Sequence, residues 1–99
     1  MFQRNRHTDA INYCKQAIAA FEEALRHAPN DAAVHSKKGP VFGLLAISQS
    51  KIAQQDEALA STLKAVRSLS KSLEIAPDNK GDLFLRNELL ITLRKAGLG

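Results

Sequence analysis

Four side chains in this 99-residue chain are of the kinds that ligate metals or act as nucleophiles: Cys14, His7, His27 and His35. A zinc site draws its ligands in close pairs that a turn or one helix face can bring round the ion. These four lie on separate segments without such pairing. His27 precedes a proline turn, where a surface residue is usual, and Cys14 falls among apolar residues, where a thiol packs as a small hydrophobe. The carboxylate pairs Glu22-Glu23 and Asp56-Glu57 are adjacent in sequence. Neighbours on a helix point about 100° apart, so neither pair can share a proton or a reacting atom. No Gly-rich phosphate loop, serine elbow or catalytic dyad is present. The residues therefore predict no enzyme, no metal and no cofactor.

Composition narrows the class further. A hydrophobic content of 44% with 24% charged residues argues for one folded domain over residues 1–99 rather than disorder. Aromatics make up only 5%, so helices packed through Ala and Leu are expected. No run of about 18 apolar residues could span a membrane, and Met1–His7 lacks the apolar stretch of a signal peptide. With Cys14 alone, no internal disulfide can form, which points to a reducing cytoplasm. The net charge of +4 raises the question of nucleic acid. Only Lys37-Lys38 and Arg94-Lys95 are adjacent cations, and no aromatic residues interleave a basic stripe. That scatter favours a solvated surface over a phosphate-binding face, leaving a basic helical nucleic-acid-binding protein as the alternative function.

The elements that must position these residues read as helices over about 8–28, 40–54, 56–76 and 81–96. Thr8 or Asp9 begins the first, whose apolar residues Ala10, Tyr13, Cys14, Ala17, Phe21, Ala24 and Ala28 recur at three and four. Pro29-Asn30-Asp31 and Pro77-Asp78-Asn79 are turns, because Pro ends a helix and Asp or Asn opens the next. Pro40 predicts a kink or break, or a helix that starts with Pro40 at its first position. No Gly or Pro lies between Leu44 and Ala76. Asp56 as an N-cap favours a turn at Gln54–Asp56. Leu45, Ile52, Leu59, Val66 and Leu73, spaced by seven, suit instead one continuous helix and a swapped dimer. Gly97 ends the last helix.

An internal repeat runs through this pattern. At an offset of 48, Ala10 matches Ala58, Ile18 matches Val66, Phe21 matches Leu69, and Ala28-Pro29 matches Ala76-Pro77. If Cys14–Ala20 are set aside, Ala10 and the run Phe21, Ala24, Pro29 take the spacing of a tetratricopeptide second helix; setting aside Thr62–Ser68 does the same downstream. The chain thus resembles the tetratricopeptide repeat family, whose period is about 34 residues, with seven-residue insertions that add two turns. Gly39 and Phe42 match the small and aromatic positions of that family's first helix, although His35 and Lys38 replace its usual Trp and Leu.

The resemblance implies an all-α, antiparallel helical array of four helices and a non-enzymatic protein–protein interaction or scaffold role. It implies a concave face lined by first helices, here Ser36, Lys37, Pro40, Gly43 and Leu44, then Phe84 and Glu88. Ser36 and Pro40 stand where the family's chaperone-tail clamp has Lys and Asn, so an apolar or acidic peptide, or a sister chain's helix, is the expected partner. The order second, first, second, first leaves both ends unpaired. Repeat arrays need polar caps, yet the last helix carries Phe84, Leu85, Leu89 and Ile91. Self-association through these residues is expected, as a dimer or a stack; the other reading is a piece of a longer array.

Overall fold

Pro29 and Pro77 each stand just beyond the end of a helix in the computed structural model, which describes residues 2–97. The chain is all-α: α1 (Phe2–His27), α2 (Ala32–Lys51), α3 (Gln55–Ile75) and α4 (Lys80–Lys95), with no strand among the described residues. Two turns are built from capping chemistry. Asp31 accepts from the backbone N–H groups of Ala33 and Val34 at 3.0 and 3.3 Å, opening α2. Asn79 accepts from the Asp82 N–H at 3.0 Å, opening α4. Each cap satisfies donors that a helix start leaves unpaired.

Three expectations change. The first helix begins at Phe2 rather than near Thr8, since no Gly or Pro interrupts the preceding residues. The second begins at Ala32, with Asp31 as its cap, and runs through Pro40 without a break. Pro40 has no N–H for the Ser36 carbonyl, but it is exposed and its helix is held from both sides by α1 and α3. The third change concerns the turn between α2 and α3, which exists but is made by Ile52-Ala53-Gln54. Gln54 N–H donates to the Gln49 carbonyl at 2.8 Å and Ala53 N–H to the Ser50 carbonyl at 3.2 Å. Ala53 has φ of 65°. This is the Schellman pattern of helix termination, with alanine in the left-handed position that glycine usually takes. Gln54 precedes α3 without a side-chain cap, and Asp56 lies in its first turn, where a carboxylate complements the helix dipole.

Helices adjacent in sequence pack together, and α2 also reaches α4. The α2–α3 pair is the tightest. It is antiparallel: Gln49 meets Ser61, Gly39 meets Leu69 and the Ala32 carbonyl meets Ser72. A Cβ on residue 39 would overlap the Cγ and Cδ2 of Leu69, which is 0% exposed. Only glycine lets the two backbones approach so closely. Burial of a leucine side chain of this kind contributes about 1.5–3 kcal/mol. The main cluster joins Ile11 and Cys14 of α1, Phe42 and Leu45 of α2, and Ala65 of α3, with Ile18, Val41 and Leu89 against it.

Candidate interaction surfaces

Asp82 fixes α4 to the rest of the molecule. It is 5% exposed; its Oδ1 accepts from Ser36 Oγ at 2.7 Å and its Oδ2 from Ser72 Oγ at 2.6 Å. A buried carboxylate is tolerable only when hydrogen-bonded. Here two hydroxyls supply those bonds, and the first turn of α4 adds a favourable dipole. One residue thereby ties α2, α3 and α4 together. In the sequence, Ser36 reads as a groove residue. The structure gives its hydroxyl to this latch and leaves Ser36 half-buried.

The latch holds α2 and α4 astride an open groove of about 630 Å³. Pro40, Gly43 and Leu44 line it from α2, and Leu85 and Leu89 line it from α4. Leu44 and Ile47 stand exposed on its wall. The other predicted groove residues lie elsewhere: Lys37, Phe84 and Glu88 are exposed but do not line it. The four apolar residues singled out on α4 divide in the same way. Leu85 and Leu89 turn into the groove, while Phe84 (67% exposed) and Ile91, seven residues apart, face outward. Leu83 is a further exposed apolar residue of α4. The total of apolar residues on α4 shows its excess, but the groove and outer sets separate only once the position of α2 is known.

A second surface lies at the opposite end. On α3, Ala58, Ser61, Ala65, Ser68 and Ser72 are all buried, and Ser61 and Ser72 bond to α2 through Gln49 and the Ala32 carbonyl. Their counterparts on α1 at the offset of 48 are Ala10, Tyr13, Ala17, Ala20 and Ala24. Ala10 and Ala17 are half-buried; Tyr13, Ala20 and Ala24 are exposed, Tyr13 by 73%. The face of α1 that is covered instead carries Ile11, Cys14 and Ile18 against α2.

The residues with possible chemistry stay apart. Among the described residues, no group of three or more His, Cys, Asp or Glu could hold a metal ion. Cys14 is buried in the core and burial raises its thiol pKa, which keeps it protonated. His27 lies beside Glu23, with Nε2 at 3.4 Å from the carboxylate, and His35 Nε2 donates to the Pro29 carbonyl at 2.9 Å. Both make local contacts at the α1–α2 turn. No described helix is long and apolar enough to cross a membrane. The chain matches no family model, no curated protein and no solved structure.

Proposed function

We propose that this chain is a non-enzymatic, tetratricopeptide-like protein–protein interaction module that associates with copies of itself through its two end helices. The observation that carries this reading is the uncovered stripe Tyr13, Ala20 and Ala24 on α1, whose counterparts on α3 lie buried under α2. An alanine-rich helix face with an exposed tyrosine is a poor solvent surface and a good helix seat, because small side chains let another helix approach. The outer face of α4 supplies a matching shape: Leu83, Phe84 and Ile91 project as large knobs. Antiparallel docking of α4 from one copy onto α1 of the next sets Arg94 and Lys95 towards Asp9, and Lys80 towards Glu23. Such a contact joins unlike faces, so it propagates as a stack or closes as a ring. The groove between α2 and α4 remains open in this arrangement for an apolar peptide. A single buried, unpaired Cys14 suits a cytoplasmic setting.

Sedimentation velocity at high micromolar concentration tests the proposal. The native chain is expected to form oligomers, and Ala20→Glu or Phe84→Glu alone to leave monomers. Each variant spoils one face and keeps the other, so an equimolar mixture of the two should yield a discrete heterodimer. A native chain that stays monomeric, or two variants that fail to complement each other, would overturn the head-to-tail model.

A further inference from the structure

The side of the molecule away from the latch holds a channel that the self-association surfaces do not use. Helices α1 and α3 both pack on α2, but among the described residues their Cα atoms stay more than 8 Å apart, leaving a space of about 550 Å³ between them. Ile18, Phe42 and Leu45 form its floor. Lys38 is also there, only 9% exposed, its Nζ 2.6 Å from Glu22 Oε1 and 5.8 Å from the centre of the Phe42 ring. That ion pair neutralises the one carboxylate that α1 contributes to the channel.

The charges left on the rims are mostly of one sign. Lys15 stands on the α1 side, and Lys64 and Arg67 on the α3 side, against Glu57 alone. None of these three cations takes part in an ion pair among the described residues. Lys71 continues the α3 series, giving cations at successive spacings of three and four. Like charges one turn apart repel and destabilise the helix that carries them. An anionic partner would remove that repulsion.

We infer that this channel is a docking site for an acidic amphipathic helix from another protein, with its apolar edge on Ile18 and Phe42 and its carboxylates reaching Lys15 on one rim and Lys64 and Arg67 on the other. Cations on both sides of an apolar floor match a helix with acidic residues flanking an apolar stripe. A nucleic-acid backbone fits less well, since Ile18, Phe42 and Leu45 offer phosphate nothing and the Lys38 charge is already taken by Glu22. A second copy of this chain is a poorer occupant, since none of its helices carries more than three acidic residues.

The probe is a fluorescein-labelled synthetic helix with leucine on one face and glutamate on both flanks, titrated with the full chain and followed by anisotropy. Saturable binding is expected, weakened by about tenfold or more in Lys64→Glu/Arg67→Glu. The charge-conserving Lys64→Arg/Arg67→Lys should bind as the native chain does, and unchanged circular dichroism of both variants excludes unfolding. A companion peptide with lysine for glutamate should not bind. Absence of saturable binding, indifference to the double reversal, or displacement of the peptide by duplex DNA or single-stranded RNA would overturn the inference. Ala20 lies on the opposite face of α1, so repeating the titration with Ala20→Glu separates this outcome from the fate of the self-association model.

Discussion

Helices α1 and α3 align without a gap at an offset of 48, yet one face of α3 is sealed under α2 while the same face of α1 is largely open. The side chains are the reverse of what burial alone would select. The sealed face holds Ser61, Ser68 and Ser72, and the open one holds Tyr13, Ala20 and Ala24. The hydroxyls of Ser61 and Ser72 can be buried on α3 because Gln49 accepts from the first and Asp82, with the Ala32 carbonyl, from the second. On α1 no such receptors are at hand, and the face is apolar. A repeat in sequence thus fixes the directions of side chains, while the neighbouring helix decides whether a direction is core or surface.

The sharpest way to break this comparison is to truncate the same repeat position on both helices. Leu69 is wholly buried between α2 and α3, whereas its counterpart Phe21 is half-buried. Leu69→Ala should cost about 3 kcal/mol or more through the cavity it leaves. Phe21→Ala, whose site is already partly in water, should cost roughly 1 kcal/mol in dilute solution. Urea denaturation at low micromolar concentration reads both values. Equal losses would show that α1 is as well covered as α3, contrary to the accessibility of its face. If the end helices associate, the loss at Phe21 should grow with protein concentration while that at Leu69 stays large throughout.

A smaller contrast separates the two helices that pack against α3. Gly39 of α2 abuts Leu69, and its counterpart at the same offset, Asn87 of α4, is exposed. Gly39→Ala should destabilise by about 1–3 kcal/mol, because the fully buried leucine has little room to yield. That strain outweighs the roughly 1 kcal/mol that alanine gains over glycine inside a helix. Asn87→Ala should stay within about 0.5 kcal/mol. A Gly39→Ala chain as stable as the native one would mean that α2 and α3 can separate slightly at no cost, and would weaken the case for a tight hairpin beside a loose end.

Much of this arrangement is legible in the residues. Pro29 and Pro77 locate two turns, the spacing of three and four assigns the helices, and the offset of 48 pairs α1 with α3. Gly39 stands out in the sequence only through the family resemblance, and in the structure it is the residue that abuts Leu69. Other features rest on tertiary context. Pro40 looks like a helix boundary, yet Asp31 caps α2 nine residues earlier and the flanking helices hold it together. Asp82 gives no local sign that its carboxylate will be buried, because its partners Ser36 and Ser72 are 46 and 10 residues away. The division of α4 into groove and outer residues depends on where α2 lies. The cationic channel escapes the sequence for a similar reason, since Lys15, Lys64 and Arg67 come together only after α1 and α3 are set on either side of α2.

The finest difference between the two ends lies in the turn that brings α2 onto α3. It is hard to see in the sequence because the position that favours glycine is occupied by Ala53, with φ of 65°. A left-handed conformation costs an L-residue about 1–2 kcal/mol, while glycine adopts it freely. Replacing Ala53 by glycine removes that strain but gives the unfolded chain more freedom, worth about 0.4–1 kcal/mol in the opposite direction. The net expectation for Ala53→Gly is a gain of about 0.5 kcal/mol, hence a melting temperature higher by about 2–4 °C for a chain of this size. Ala53→Val should move the other way, since a β-branched residue fits the left-handed region poorly. Thermal melts of the three proteins followed by circular dichroism give the order directly. If glycine lowers the melting temperature, the alanine methyl contributes more to the turn than its backbone strain takes away, and the α2–α3 hairpin is held by its connection as well as by its packed face.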